Sequence, residues 1–216
     1  MTTAEEIAKI LLKIKAVTVS TNPPYTWASG MKAPIYCDNR LIISFPEERK
    51  KVIMAFKKLV EERGIQFDII GGTAMAAVPW ASFLAYELNK PMVYIRPEPK
   101  AHGKGKQVEG FMKPGSKVLI VEDLISSGGS SLKSAAACQR EHNATVTNVI
   151  AIFNYQMNQA KQAFTAANIM LDTLSNFSTL IDVATTENYL KPTEKKQALS
   201  WSADPENWWS TISTTT

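Results

Sequence analysis

The sequence predicts an α/β protein: a mostly parallel central sheet flanked by helices, with a small segment in front of it. Three observations carry this. Short apolar runs recur at 67–70, 92–95, 117–121, 146–153 and 169–173, each the length of a strand. Stretches with helical spacing or helix-start chemistry separate them. The run at 117–121 is apolar enough for a strand buried on both faces of a parallel sheet. Such alternation implies βαβ units with right-handed crossovers.

Taken in order, residues 4–15 place Ile7, Ile10, Leu11 and Ile14 at helical spacing. Residues 20–45 read as irregular or strand-like, punctuated by Pro23, Pro24, Gly30 and Pro34. Pro46 followed by Glu47 and Glu48 starts a helix that buries Val52, Phe56, Leu59 and Val60 and stops at Gly64. A helix over 75–89 carries Pro79 in its first turns, and residues 96–110 have no apolar periodicity. Further helices are predicted at 129–141, 159–167 and 178–185. The tail, with Trp201, Trp208 and Trp209, reads as a helical cap whose tryptophans pack. The chain divides into a front segment (1–45), an α/β core (46–190) and the cap (191–216), all one compact domain.

Composition narrows the function classes. Twenty-four Lys and Arg against 20 Asp and Glu leave a net charge of +4, too small to imply nucleic-acid binding. Cys37 and Cys138 form neither a disulfide framework nor a zinc spacing. No apolar run reaches the ~20 residues of a membrane span, and Glu5 and Glu6 stand where a secretory signal carries base. A cytoplasmic protein is expected, with neither nucleic acid nor membrane as partner.

Chemistry concentrates at 117–131, Lys-Val-Leu-Ile-Val-Glu-Asp-Leu-Ile-Ser-Ser-Gly-Gly-Ser-Ser. A buried strand delivers Glu122 and Asp123 to the carboxyl end of the sheet, where open α/β sheets bind ligands. Paired carboxylates accept hydrogen bonds from vicinal hydroxyls such as those of a ribose. The turn Ser126-Ser127-Gly128-Gly129-Ser130 presents backbone N–H groups at a helix N-terminus, an anion site. Piecemeal, the stretch also serves as an ordinary strand–loop–helix connection; the composite favours a ligand. It lacks the Walker A and the dinucleotide-binding glycine patterns.

The block 118–131 resembles the phosphoribosyl-pyrophosphate (PRPP) signature of type I phosphoribosyltransferases. Three further stretches resemble the orotate phosphoribosyltransferases of that family: 25–40, 94–110 (Tyr-Ile-Arg-Pro-Glu-Pro-Lys-Ala-His-Gly-Lys-Gly-Lys-Gln-Val-Glu-Gly) and Ala151-Ile-Phe-Asn-Tyr155. The resemblance spans most of residues 4–190. It implies the type I phosphoribosyltransferase fold and the reaction of orotate with PRPP to give orotidine 5′-monophosphate and pyrophosphate. It further implies Mg2+, held mainly through PRPP with no direct protein ligand, and a homodimer.

By that resemblance Glu122, Asp123, Leu124 and Ile125 lead into the PRPP site, the two carboxylates taking the ribose hydroxyls. Ser126, Ser127, Gly128, Gly129 and Ser130 take the 5′-phosphate, Ser126 also facing orotate, and Ser127 stands where most relatives have Thr. The front segment becomes a base-binding hood, with Tyr36 and Cys37 at the base and Arg40 either at its carboxylate or simply a surface cation or internal ion pair. Residues 96–110 correspond to a loop that reaches the neighbouring subunit's site, Arg96, Lys100 and His102 meeting pyrophosphate, Lys100 and His102 as catalytic candidates. Over 96–106, four cations against Glu98 give +3, most of the net charge. His142, at a helix end, has no functional role assigned.

Departures matter too. Ala28, Pro97 and Tyr155 stand where some relatives carry basic residues. Gly71-Gly-Thr-Ala-Met-Ala-Ala-Val-Pro79 resembles the family's pyrophosphate loop, with Thr73, Ala74 and Met75 as candidates. There Met75 removes a hydroxyl, Ala77 replaces a glycine, and bulky Trp80 lies beside them. If position 77 needs positive φ, strain on the order of 1 kcal/mol is expected. This loop keeps a non-catalytic PRPP-binding regulator as an alternative, beside a phosphoribosyltransferase for another base.

Overall fold

The structure, a computed structural model, describes residues 1–99 and 105–213. Helix α1 (Thr3–Lys13) opens under a capping box: Thr2 Oγ1 accepts from the Glu5 N–H at 3.3 Å, and the Glu5 carboxylate accepts from the Thr2 N–H at 2.6 Å. The irregular stretch that follows folds into β1 (Val17–Val19), β2 (Tyr25–Thr26), β3 (Lys32–Ala33) and β4 (Ile35–Cys37), each too short for a periodic pattern to reveal it. β1 pairs antiparallel with β4, and β2 with β3. A 3-10 helix (Asn39–Ser44), capped by Asp38, leads into α2 (Pro46–Glu62).

β5 (Ile69–Thr73) begins at Ile69 rather than 67 and runs through two glycines that carry no hydrophobic signal. A Cβ on Gly72 would lie 2.8 Å from the Ala81 Cβ, so only glycine lets α3 (Val78–Glu87) pack this closely. β6 (Met92–Ile95) matches its prediction. β7 (Val108–Glu109), a two-residue edge strand antiparallel to β6, lies where no periodicity was expected. β8 (Lys117–Ile125) extends past its apolar run, carrying Glu122 and Asp123 within the strand. Then come α4 (Gly129–His142), β9 (Thr145–Asn154), α5 (Asn158–Ala166), β10 (Met170–Asn176), α6 (Phe177–Thr186), α7 (Pro192–Ser200) and α8 (Trp208–Ser213).

The main sheet has the order β10-β9-β8-β5-β6-β7, parallel except for β7. Chain order reverses between β5 and β8, which makes that pair the topological switch point. Both faces are covered, as expected: Leu119 and Val121 join the core under α1, α2, α3 and α6, and Val118 and Ile120 the core under α4 and α5. Trp201 is fully buried at the junction of tail, hood and sheet, its ring centroid 5.4 Å from Trp27, 5.5 Å from Tyr155 and 5.2 Å from Phe177. Among the described residues no helix is long and apolar enough to cross a membrane.

Candidate active site at the switch point of the sheet

The last register pair between β5 and β8 is Gly72 with Val121. Beyond it β5 turns away into residues 74–77 while β8 continues, so the two strands part at the place where open α/β sheets form a binding crevice. Glu122 and Asp123 lie at that divergence, still inside β8 rather than beyond its end, because β9 continues to pair with β8 as far as Ile125.

Glu122 is buried; its Oε2 accepts from the Ser131 hydroxyl at 3.0 Å and its Oε1 from the Asp123 N–H at 3.1 Å. Burial, with the neighbouring Asp123 charge, pushes its carboxyl up to about 8. Burial raises Asp123 as well, so both carboxyls of the adjacent pair keep their protons to higher pH than a free carboxyl does.

The turn after β8 is built by Gly128, whose φ of +81° suits glycine and whose added Cβ would lie 2.6 Å from the Phe164 ring. Gly129 differs. Its φ is not in the left-handed region, and an added Cβ would meet nothing nearer than Ser127 Oγ at 3.7 Å. The protein's own packing therefore does not require this glycine. Gly129 and Ser130 are exposed at the N-terminus of α4, whose first N–H groups face outward. Ser126 is half-buried, its hydroxyl 3.7 Å from the Met157 sulfur.

The hood brings β4 and the 3-10 helix to the same crevice. Tyr36 is exposed, its ring centroid 6.0 Å from that of Tyr25. Arg40 is engaged in the internal ion pair, its Nε and Nη2 donating to Asp38 at 2.6 and 2.9 Å. That hydrogen-bonded pair lowers the Asp38 carboxyl below its ordinary value. Cys37 donates its S–H to Asn39 Oδ1 at 3.3 Å, and burial, reinforced by Asp123, pushes its thiol well up. Tyr155 is buried against Trp27, 5.0 Å between centroids, and burial pushes its hydroxyl up, with Cys37 and Asp123 nearby adding to the shift.

Arg96 pairs with Glu109 at 3.6 Å across the base of the 96–110 segment. Lys100 and His102 lie outside the described residues. The stem of the segment is held by two residues that sequence reasoning passed over. The Glu141 carboxylate accepts from the Gln107 and Val108 N–H groups at 2.9 and 3.1 Å, and the Gln107 amide donates to the Arg96 and Pro97 carbonyls at 3.1 Å. One signal was there: an acid in the last turn of α4 runs against the helix dipole and calls for a local partner.

In the 71–79 segment, the Thr73 hydroxyl is buried 3.2 Å from Ser134 Oγ, and the Ala74 N–H donates to the Ile95 carbonyl at 2.8 Å. Met75 is exposed. The strain expected at Ala77 does not arise: its φ is −89°, an ordinary right-handed conformation, and the residue is buried as the cap of α3. Trp80 is fully buried inside the core.

Residues 43–187 match the family model for the phosphoribosyl transferase domain. The chain is 52% identical over 208 residues to the orotate phosphoribosyltransferase of Coxiella burnetii, covering 96% of this chain and 99% of that protein. It is 46% identical over 205 residues to the orotate phosphoribosyltransferase of Enterococcus faecalis strain V583, covering 95% and 97%. Among solved structures, orotate phosphoribosyltransferase from Aeropyrum pernix superposes with a TM-score of 0.72 at 26% identity, over 82% of this chain and 96% of that one. Leishmania donovani UMP synthase superposes with a TM-score of 0.77 at 25% identity, over 92% of this chain and 42% of that longer one. Full-length similarity, the shared fold and a carboxylate pair at the switch point agree: the chain belongs to the phosphoribosyltransferase family, in its orotate phosphoribosyltransferase branch.

Proposed function

We propose that the protein transfers the 5-phosphoribosyl group of PRPP to orotate, giving orotidine 5′-monophosphate and pyrophosphate on the route to UMP. The observation that carries this is Gly129: a glycine that the protein's packing does not need, at a helix N-terminus beside a carboxylate pair, suits close backbone approach to a phosphate.

The rest of the chemistry follows from that placement. Carboxyls raised above their ordinary range can donate when protonated and accept when ionised, matching a ribose diol whose hydroxyls do both. As the bond to pyrophosphate breaks, the ribose carbon becomes oxocarbenium-like and negative charge collects on the leaving group. Arg96, with Lys100 and His102 from the same segment, would stabilise that charge most in the transition state. His102 can supply a proton to the leaving group or simply bind it. Tyr36 offers an aromatic face to the base, and the guanidinium N–H groups of Arg40 not bonded to Asp38 can meet its carboxylate.

Mg2+ fits this arrangement. Among the described residues no cluster of three or more ligands stands ready for a metal. Magnesium keeps several waters and binds substrate phosphates, so PRPP itself would hold it, with no direct protein ligand required. When bound with PRPP it supplies neutralising charge at the pyrophosphate.

Mixing the protein with PRPP, Mg2+ and orotate and following the loss of orotate absorbance tests the reading. No turnover, with uracil or hypoxanthine accepted instead, would overturn it; PRPP binding without turnover on any base would identify a regulator. Lys100→Ala should depress turnover far more than PRPP affinity. We further propose a homodimer in the cytoplasm, with the 96–110 segment serving the neighbouring site. Sedimentation velocity at micromolar concentration checks the assembly, and inactive Lys100→Ala protein mixed with a variant disabled at Asp123 should regain activity.

A further inference from the structure

Asn39 is almost fully buried, and its side-chain amide is used at both ends. Its Nδ2 donates to the backbone carbonyl of Asp123 at 2.6 Å, across 84 residues of sequence, and its Oδ1 accepts the Cys37 S–H at 3.3 Å. The site of the first bond has a physical cause. Asp123 lies beyond the last pairing of β8 with β5, where the sheet opens, and there the hood's amide satisfies a carbonyl that the departing strand does not. One side chain thus ties the hood, which carries Tyr36, Cys37 and Arg40, to the backbone of the residue proposed to hold the ribose.

We infer that Asn39 is a positioning residue that holds the base-binding hood and the ribose-binding strand in one frame, setting the approach of the base to the ribose carbon. This rests on the proposed reaction. Bond formation between a base nitrogen and a ribose carbon needs both partners in a near-attack geometry, and small misplacements are costly in rate. The contacts to base and ribose come from separate parts of the chain, so their relative placement depends on what joins them. Asn39 touches neither substrate in this arrangement; it acts through Asp123 and Cys37.

The test uses the full chain with two substitutions. Steady-state kinetics on the unaltered protein come first and decide the proposed reaction by themselves. Asn39→Ala should then raise the KM for orotate about tenfold or more, the loss expected for one buried hydrogen bond, and lower kcat, with a smaller change in the KM for PRPP. Asn39→Asp, similar in shape but unable to donate to the Asp123 carbonyl, should do the same and carries the test if the alanine variant does not fold. Labelling by iodoacetamide, located by mass spectrometry, adds a readout that needs no turnover. Cys138 is fully buried, so the label reports Cys37, and its rate should rise several-fold in Asn39→Ala. A folded variant with unchanged orotate KM and unchanged Cys37 labelling would overturn the inference. So would a fall in kcat with both KM values unchanged, which marks a loss of active protein only.

Discussion

Ser131 donates its hydroxyl to Glu122 Oε2 at 3.0 Å, joining the first turn of α4 to the carboxylate strand inside the protein. That bond favours the ionised carboxylate, yet burial and the adjacent Asp123 outweigh it and lift Glu122 to about 8. Stability should therefore depend on pH. Below the ordinary carboxylate value of 4.5 both folded and unfolded chains carry the proton. Between 4.5 and about 8 the unfolded chain ionises while the folded one keeps its proton, so unfolding becomes easier as pH rises. At about 1.4 kcal/mol per unit, a loss on the order of a few kcal/mol is expected across that window. Urea unfolding of the ligand-free protein at pH 5 and pH 8 checks it. Glu122→Gln should flatten the profile, and equal slopes in both proteins would remove Glu122 as the cause.

The two glycines of the phosphate turn should separate fold from ligand. Gly128→Ala meets both a positive φ and the Phe164 ring, and should cost more than about 1 kcal/mol of stability. Gly129→Ala should leave stability unchanged or raise it slightly, since alanine is the better helix former. Its PRPP affinity should nonetheless fall at least tenfold. Calorimetric titration with PRPP beside a denaturation curve reads both effects; a Gly129→Ala protein that binds normally would show that the position is free.

How far the sequence reached follows from where its signals lie. The parallel sheet was legible because Val118 to Val121 is buried on both faces and needs no alternation to be recognised. Its end was not, since Glu122 and Asp123 are polar residues inside a strand, kept there by β9 rather than by their own preference. The pairing of Arg40 with Asp38, two residues away, was one of the partners the sequence left open, and only the folded turn of the 3-10 helix brings the two together. Asn39 carried no signal at all: its role arises only when β5 and β8 part, a tertiary event that no local pattern records.

The pyrophosphate loop yields a prediction that reverses the sequence expectation. A glycine at position 77 would relieve strain only if the backbone were left-handed, and its φ is −89°. Ala77→Gly should therefore not raise activity. It should lower stability by about 0.5–1 kcal/mol through the added backbone freedom at the start of α3. Met75 is exposed, so Met75→Thr should be nearly neutral for stability while restoring a hydroxyl beside the crevice. Comparing PRPP KM and urea midpoints of the two single variants decides it: a gain in Ala77→Gly would refute the backbone argument.

Trp201 carries the last prediction. It contacts Trp27 of the hood, Tyr155 after β9 and Phe177 of α6, and its indole N–H is buried without a hydrogen-bond partner among the described residues. Trp201→Ala removes the junction and should cost about 3–5 kcal/mol, the range for deleting a buried large aromatic. Trp201→Phe keeps most of the apolar contact and no longer buries an unpaired donor, so the lost area is partly offset and a change below about 1.5 kcal/mol is expected. Because Trp27 belongs to the hood and Tyr155 packs against it, Trp201→Ala should also raise the orotate KM, while Trp201→Phe should not. Denaturation midpoints with orotate kinetics on both variants check this. An alanine variant as stable as the unaltered protein would show that the tail does not brace the hood.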